Sequence, residues 1–296
     1  MNMFFNMNAE FIRFTTDDQL ILQGIVYHPD SQTEKVYLHI HGMAGNFYEN
    51  RFLDAMAKEL TDNGYAFMSI NTRGHDYIAD FPIAGPEEKS KKIGDAYEIF
   101  EECLLDFKPA IDYLQEHGYK EIVLCGHSLG AVKVAYYIAE TQDQRISKLI
   151  LMSPPDMVGL TEKESNFGET MEQAKKMVSD GKGNELLPGL LWGWYYLSAN
   201  TYLNFSIRDN PIDIFNTYDK SKPSLLSEIR IPTLAFLGEK DDAAIMPPQE
   251  ALEILKAKAR NTSRFDIDII PNAPHSYFGC EKEMAQRIVS WLGVEQ

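Results

Sequence analysis

Short apolar runs that alternate with helix-like segments constrain this fold more than any other feature of the sequence. Each run is rich in Val, Ile, Leu, Phe or Tyr, and the segments between most of them have apolar residues at helical spacing. Buried parallel strands are typically continuous apolar runs, and a crossover helix usually connects each one to the next. The pattern therefore predicts an α/β fold with a mostly parallel sheet and helices on both faces. The predicted buried strands are residues 36–41, 65–70, 121–125, 148–153, 233–238 and 265–270.

Two segments depart from this rhythm. Near the start, FIRFTTDDQLILQGIVYHP predicts two strands joined at a turn at Asp17 and Asp18. Between KLILMS and TLAFLG no sheet strand is evident, and a polar helix-like piece is followed by LLWGWYYLSANTYLNF. Because this second segment shows no core of its own, we predict one α/β core. It consists of residues 1–155 and 230–296, with residues 156–229 as an inserted cap.

Charge and composition exclude several classes of partner. The chain of 296 residues has a formal net charge of −16 and a pI near 4.9, which disfavours nucleic acid and anionic membrane surfaces as partners. No run approaches the roughly 18 apolar residues of a membrane span, and the first residues lack the basic start of a signal peptide. The three cysteines show no disulfide framework and no zinc spacing, so we expect a cytoplasmic protein.

The pentapeptide GHSLG (126–130) carries the strongest chemical signal. It fits G-x-S-x-G, it directly follows the strand EIVLC, and it directly precedes a helical segment, which is the context that the motif requires. Its glycines let neighbouring backbone pass close to the serine in a strained strand-to-helix turn. Such a turn exposes Ser128 Oγ beside a helix N-terminus, which stabilises negative charge. We predict that Ser128 is a nucleophile rather than only a helix cap.

A serine nucleophile needs a base, and the base needs a carboxylate. His275, in the loop sequence NAPHSYF, is the only histidine downstream of Ser128, and we predict that it is the base. Asp241 in GEKDD is our first choice for the carboxylate, because its position after the strand TLAFL faces the edge of the sheet. Asp242 is the second choice, and Asp156, after KLILMS, is the third.

The stretch HIHGMAGN (39–46) allows two interpretations. His39 and His41 alternate along a predicted strand and would share one face, so they could hold a metal ion. The glycines that follow could instead open a backbone pocket for an anion. A zinc site needs three or four ligands, and no further His-Asp cluster with ligand spacing accompanies this pair. We therefore predict no metal.

Together, these motifs resemble the α/β-hydrolase superfamily. HG-x-x-G after an early strand, GHSLG in mid-chain, and then Asp241 and His275 follow the order of that family over nearly the whole chain. The resemblance implies an eight-stranded sheet, a triad of Ser128, His275 and Asp241 that needs no cofactor, and a cap over the pocket. It also implies that the backbone amides of Met43 and Leu129 bind the oxyanion. HIHGMAGN is then an oxyanion loop, which His41 braces through hydrogen bonds.

The turn NTRGHD (71–76) resembles an arginine-glycine-histidine turn that many members of the superfamily carry, and we predict structural roles for Arg73 and His75. Relatives often have glycine and serine after the histidine, where this chain has Asp76 and Tyr77. This departure leaves the contacts of the turn with substrate open.

The aromatic residues of LLWGWYYLSANTYLNF also allow two interpretations. They could be ordinary packing within the cap, or they could form the roof of an apolar substrate pocket. The residues that would form the roof are Trp192, Trp194 and Tyr195. In position, though not in sequence, the cap resembles those of monoacylglycerol-lipase-like and cinnamoyl-esterase-like members.

The motifs predict a serine hydrolase that cleaves small to medium-sized carboxylic esters through an acyl-enzyme intermediate. A thioesterase, lactonase, amidase or acyltransferase with the same triad is the enzymatic alternative. An α/β-hydrolase-fold ligand-binding protein is the non-enzymatic one, although a binding protein has no need of all three triad residues. The expected partner is a small-molecule ester.

Overall fold

Eight strands form one central sheet in the computed structural model, which describes residues 7–293 of the chain. Residues 1–6 and 294–296 belong to the predicted core but lie outside that description. Residues 1–6 are also the start of the segment that lacks the basic residues of a signal peptide. The strands of the chain are β1 (Asn8–Thr15), β2 (Ile21–His28), β3 (Lys35–Ile40), β4 (Ala66–Ile70), β5 (Asp80–Ile83), β6 (Lys89–Lys92), β7 (Glu121–His127), β8 (Ile146–Met152), β9 (Thr233–Lys240) and β10 (Phe265–Pro274).

The order of strands across the central sheet is β1-β2-β4-β3-β7-β8-β9-β10. The first two strands pair antiparallel, and β2 also pairs antiparallel with β4, whereas every other pair in this sheet is parallel. The predicted α/β class, with a mostly parallel eight-stranded sheet, is thus confirmed. The carboxyl ends of β3, β7, β8, β9 and β10 consequently meet at one edge of the sheet.

Helices cover both faces of the sheet, as the apolar strands require. They are α1 (Arg51–Asp62), α2 (Cys103–Glu116), α3 (Leu129–Thr141), α4 (Met157–Glu162), α5 (Phe167–Ser179), α6 (Ala199–Ser206), α7 (Pro248–Lys258) and α8 (Glu281–Trp291). Alternate residues of a strand belong to different apolar clusters: Leu124 packs on the face of α2 and α3, and Val123 packs on the face of α1 and α8. None of the helices in residues 7–293 has the length and apolar character needed to cross a bilayer.

Residues 156–229 lie between β8 and β9 and contain α4, α5, α6 and two short 3-10 helices, Pro211–Ile214 and Leu225–Glu228. Apolar side chains of this segment, such as Val158 and Phe205, belong to the same cluster as side chains of the central sheet. The segment is also hydrogen bonded to the rest of the chain. The carbonyl of Ala96 accepts from Ser198 N at 2.8 Å and from Thr201 Oγ1 at 3.1 Å.

Two local features differ from the sequence-based expectations. A two-stranded hairpin of β5 and β6 precedes the second predicted helix, where the sequence shows no strand pattern because its residues are mostly exposed and polar. The apolar spacing over residues 97–117 predicts a helix that begins at Tyr97, but the helix begins only at Cys103, after two short 3-10 turns, Asp95–Tyr97 and Phe100–Glu102. A tertiary contact explains why the helix starts later, because the Phe100 amide donates to Asn204 Oδ1 of α6 instead of to a carbonyl within a helix.

Arg73 holds several elements together from within the fold. Its side chain has no exposed surface, and its guanidinium forms ion pairs with Asp18 at 3.1 Å, Glu102 at 2.7 Å and Asp106 at 2.9 Å. Asp106 also accepts from the Arg73 amide at 2.9 Å. These contacts join the β1–β2 turn, the β4 loop and α2, in agreement with the structural role predicted for this residue.

Replacing Arg73 with glutamine should lower the free energy of unfolding by about 3–5 kcal/mol, because it leaves the fully buried Asp106 carboxylate without its cation. Arg287→Gln is the matched control. That residue is 44% exposed and pairs with Asp268 at 3.1 Å on the surface, so its loss should cost no more than about 1 kcal/mol. Urea-induced unfolding of both variants measures the difference, and equal losses would contradict the role assigned to Arg73.

Candidate active site

The three predicted triad residues lie at one edge of the sheet, each directly after a strand. Ser128 follows β7, Asp241 follows β9 and His275 follows β10. Ser128 Oγ lies 2.9 Å from His275 Nε2, and Asp241 Oδ1 lies 2.8 Å from His275 Nδ1. The structure therefore brings the three side chains together in one hydrogen-bonded chain, although they are far apart in sequence.

Ser128 occupies a strained turn between β7 and α3. Its backbone angles, φ 56° and ψ −126°, lie outside the regions that non-glycine residues favour, and its side chain makes no capping bond to the helix. The flanking glycines make the turn possible. A Cβ at Gly126 would lie 2.1 Å from Gly130 O, and a Cβ at Gly130 would lie 2.4 Å from Ile40 O. The hydroxyl of Ser128 thus points to His275 rather than to the helix that it precedes.

Asp241 is the carboxylate that meets the imidazole. Its side chain is fully buried, and its Oδ1 also accepts from the Ala243 amide at 3.0 Å. Burial raises the pKa of this carboxyl, but its bonds with His275, Ser153 and Ala243 and the charge of His275 outweigh burial. They hold the pKa below its usual value of 3.8. Asp241 is therefore ionised at neutral pH.

The two other candidate carboxylates lie in different environments. The Asp242 side chain is exposed, next to the buried Asp241. Asp156 is the N-cap of α4, where it accepts from the Gly159 amide at 2.8 Å. Its second oxygen accepts from Thr217 Oγ1 at 2.8 Å and from the Tyr218 amide at 2.9 Å. Asp156 thus holds α4 against a later part of the inserted segment.

His41 braces the loop that follows β3. The Gly42 carbonyl can only accept, so the proton lies on His41 Nδ1, which donates to that carbonyl at 2.7 Å. His41 Nε2 accepts from the Thr72 amide at 3.0 Å. Burial and the charge of Lys133 hold the pKa of His41 well below its usual value. Because both ring nitrogens are engaged within the protein, His41 is not free to bind a metal ion.

The loop after His41 presents its main chain to the serine. Gly45 N donates to Gly42 O at 3.0 Å and closes a tight turn around Met43. A Cβ at Gly42 would lie 2.9 Å from Ser128 Cβ, so the two backbones are in close contact. In residues 7–293 no protein acceptor is paired with the Met43 amide. The Leu129 amide is the first of α3, and such amides have no partner within the helix.

A comparison with protein families agrees with this geometry. A family model described as an alpha/beta hydrolase fold matches residues 38–279, which is most of the chain and includes Ser128, Asp241 and His275. The chain belongs to the α/β-hydrolase fold family. This confirms the resemblance on which the sequence-based assignment of the oxyanion loop and the cap was founded.

Individual proteins that are similar to this chain share either a short matching stretch or a low sequence identity with it. A carboxylesterase of Bacillus subtilis (strain 168) is 31% identical over 100 residues, which make up 33% of this chain and 34% of that protein, so the chain matches about a third of its length. An esterase of Pyrococcus furiosus shares the fold with a TM-score of 0.63 at 18% identity, over 97% of this chain and 91% of its own. Est1E of Butyrivibrio proteoclasticus, solved with ferulic acid, has a TM-score of 0.63 at 18% identity over 94% and 97% of the two chains.

The aromatic residues of the inserted segment differ in their environments. The rings of Trp192 and Tyr195 meet edge to face at 5.9 Å, and Tyr77 lies 5.9 Å from Tyr195. The indole nitrogen of Trp192 is buried without a hydrogen-bond partner. Trp194, in contrast, is 70% exposed and does not share this environment. A cavity of about 150 Å³ in the same segment is lined by α5, α6 and the stretch around Leu191, but Trp192 and Tyr195 are not among its lining residues.

Several polar residues near the triad carry no sequence motif. Asp95 is fully buried, and neither of its oxygens has a partner at standard hydrogen-bond geometry. Burial raises its pKa well above the usual value, against smaller opposing effects of Lys133 and the Ala44 amide. Glu98 and Lys133 form a fully buried ion pair at 2.6 Å beside it. Ser153 and Tyr277 are also buried and bond to each other at 2.7 Å. A single sequence does not reveal that these polar side chains are buried, so it gives no signal for them.

Two buried imidazoles lie beneath the triad in this α/β-hydrolase fold. His127 Nε2 donates to the His275 carbonyl at 2.9 Å, and the ring of His39 lies edge to face with Phe52 at 5.8 Å. Burial lowers the pKa of both His39 and His127 from 6.5 to about 3, with a smaller contribution from neighbouring histidines. Both rings are therefore neutral in the folded protein, whereas in the unfolded chain they take up protons as the pH falls below about 6.5.

Because folding lowers the pKa of both histidines, the fold is predicted to lose stability in acid. A base whose pKa is lowered by folding costs stability as the pH falls from about 6.5 towards 3, at up to about 1.4 kcal/mol per pH unit for each group. His39→Gln should therefore make the loss of stability between pH 6 and pH 4 shallower. His117→Gln, at an exposed histidine that bonds to the Tyr113 carbonyl, is the control. Urea unfolding at a series of pH values measures the slope, and an unchanged slope in H39Q would argue against the assignment.

Proposed function

We propose that this chain is a serine hydrolase that cleaves carboxylic esters of small to medium size. The observation that carries the proposal is the hydrogen-bonded chain from Ser128 through His275 to the buried Asp241. A carboxylate, an imidazole and a strained serine in this order form a nucleophile with its base and the group that orients the base. The esterases and the carboxylesterase among the similar proteins support an ester as the substrate.

The reaction proceeds in two steps. Ser128 Oγ attacks the ester carbonyl while His275 Nε2 takes its proton, and His275 then returns the proton to the departing alcohol. Asp241 keeps the imidazole in the tautomer with Nδ1 protonated and stabilises the imidazolium that forms. Water activated by His275 then attacks the acyl-enzyme, which releases the acid and restores Ser128. A cofactor takes no part in this sequence.

The backbone amides of Met43 and Leu129 are the proposed oxyanion hole. Both are close to Ser128, because Gly42 contacts the serine and Leu129 directly follows it. Such donors stabilise the negative charge that develops on the carbonyl oxygen in the transition state, and losing one side-chain donor costs on the order of 3 kcal/mol in a model enzyme. Because backbone amides survive side-chain truncation, Met43→Ala is expected to retain most of the activity.

Labelling with a fluorophosphonate tests the triad. The wild type should form an adduct on Ser128, and His275→Ala should slow labelling by a factor on the order of 10³ or more, because the serine loses its base. Asp241→Asn should be strongly impaired, whereas Asp242→Asn, at the exposed neighbour, should stay within about twofold of the wild type. Intact-mass spectrometry measures the rates.

Two outcomes of this labelling would contradict the proposal. A folded wild type that forms no adduct would favour a non-catalytic ligand-binding protein with the same fold. A crippled D242N beside a nearly normal D241N would mean that the acid is Asp242. Circular dichroism of each variant separates loss of reactivity from loss of fold.

Residues 156–229 are proposed to act as a cap, with Trp192 and Tyr195 in the roof of the acyl pocket. Tyr77 links these rings to the oxyanion loop, because the adjacent Asp76 accepts from Asn46 at 3.0 Å. Trp194, which is largely exposed, serves as a matched control.

Trp192→Ala should lower kcat/KM for the preferred ester about tenfold or more, because a buried aromatic contact is lost, whereas Trp194→Ala should leave it within about twofold. A series of p-nitrophenyl esters of increasing acyl length measures the effect, beside feruloyl, lactone, thioester and amide substrates. Equal effects of the two variants would remove Trp192 from the pocket. A thioester, lactone or amide preferred over every ester would reassign the substrate class, as would net acyl transfer to an added alcohol.

A cytoplasmic location is part of the proposal. Cys103 and Cys125 are buried and unpaired, and Cys280 is unpaired and half-buried. Free thiols of this kind are typical of a reducing compartment. Fractionation of cells that express the tagged protein tests the location, and recovery outside the cytoplasm would contradict it.

A further inference from the structure

Ser153 and Tyr277 are fully buried polar residues that take no part in the steps described above. Ser153 directly follows β8, and its amide donates to Phe236 O of β9 at 2.8 Å. Tyr277 lies two residues after His275. The two hydroxyl oxygens are 2.7 Å apart, at the same edge of the sheet where Asp241 follows β9.

The backbone at both positions is unusual. Ser153 has φ 46° and Tyr277 has φ 54°, in the left-handed region that non-glycine residues seldom adopt. Such conformations cost on the order of 1–3 kcal/mol each and persist only where the surrounding structure enforces them. Here they direct a serine hydroxyl and a phenol towards each other behind the Asp241 carboxyl.

The two oxygens of Asp241 have unequal surroundings. Oδ1 meets His275 Nδ1 at 2.8 Å and the Ala243 amide at 3.0 Å. Oδ2 is buried and has no partner at standard hydrogen-bond geometry. The Ser153 hydroxyl nevertheless lies close enough that a hydrogen bond from it is among the causes that hold the pKa of Asp241 below its usual value. A serine hydroxyl rotates to suit its neighbours and can donate one bond while accepting another.

We propose that Ser153 is a positioning residue that donates a hydrogen bond to Asp241 Oδ2 while it accepts one from the Tyr277 hydroxyl. The negative carboxylate sets this direction, since it attracts the serine proton and leaves the serine lone pairs to the phenol. Burial raises the pKa of Tyr277 well above its usual value, so the phenol keeps the proton that it donates. The chain of bonds fixes the carboxylate so that Oδ1 stays on His275. This role rests on the proposed serine-hydrolase function.

Ser153→Gly is the decisive variant, because glycine removes the hydroxyl and tolerates the positive φ at this position. We expect fluorophosphonate labelling of Ser128 to slow by about 10- to 100-fold, the range for loss of a hydrogen bond to a charged group. The acid limb of the pH–rate profile should move to higher pH, because a carboxylate that has lost a donor keeps more of its negative charge for the imidazolium of His275 and so holds that proton more strongly. Ser153→Ala provides a second removal of the hydroxyl if the glycine variant is poorly folded.

Tyr277→Phe tests the chain itself, since it keeps the buried ring and removes only the hydroxyl. It should slow labelling by several-fold in the wild type and have no further effect in the Ser153→Gly background, because Tyr277 acts through Ser153. Ser147→Ala is the matched control. Ser147 lies on the same strand, β8, and bonds to the Ile122 carbonyl at 3.0 Å, away from the triad, so its loss should leave labelling unchanged.

Wild-type rates and an unshifted pH profile in both Ser153 variants would overturn this inference and leave the proposed function intact. A slower rate that is equal at every pH and additive with Tyr277→Phe would also overturn it, because it would indicate a purely structural role. If the folded wild type itself fails to label, both the proposed function and the inference fall.

Discussion

The contact between the first turn of α3 and the end of β3 is the constraint on which the site depends. A Cβ on Gly130 would lie 2.4 Å from Ile40 O and 2.5 Å from His41 O, so only glycine permits the approach. The contact joins two loops that are far apart in sequence, the turn that holds Ser128 and the turn that holds Met43. Ser128 and the Met43 amide are therefore positioned relative to each other by main-chain packing rather than by flexible side chains.

The parts of the fold that could be predicted are those in which burial leaves a local pattern. Buried parallel strands are apolar throughout, so their runs predicted the sheet, and residues after the strands had to meet at one edge. The β5–β6 hairpin could not be predicted, because Lys89–Lys92 is entirely exposed and carries no alternation. The late start of α2 was missed for another reason: Phe100 gives its amide to Asn204, 104 residues away in sequence, and no local pattern encodes that contact.

The candidate site also contains residues that a sequence motif marks and residues that no motif marks. That Ser128, Asp241 and His275 lie together could be predicted, because each follows a strand within a recognisable motif. The structure adds that Asp241 contacts the imidazole, whereas its neighbour Asp242 is exposed. Ser153 and Tyr277 have no such signal, since their bond spans 124 residues of sequence. Within the inserted segment, composition alone could not distinguish the half-buried Trp192 from Trp194, which is exposed to solvent. A turn with φ 51° at Trp192 lies between these two environments.

The neutral imidazole of His127 has a consequence for where positive charge can reside during the proposed reaction. Its ring centre is 5.0 Å from that of His275, and its Nε2 proton is committed to the His275 carbonyl. With a pKa of about 3, His127 does not accept a proton at neutral pH. A proton that His275 takes from Ser128 in the proposed reaction therefore stays on His275, beside Asp241, and is not passed on to His127.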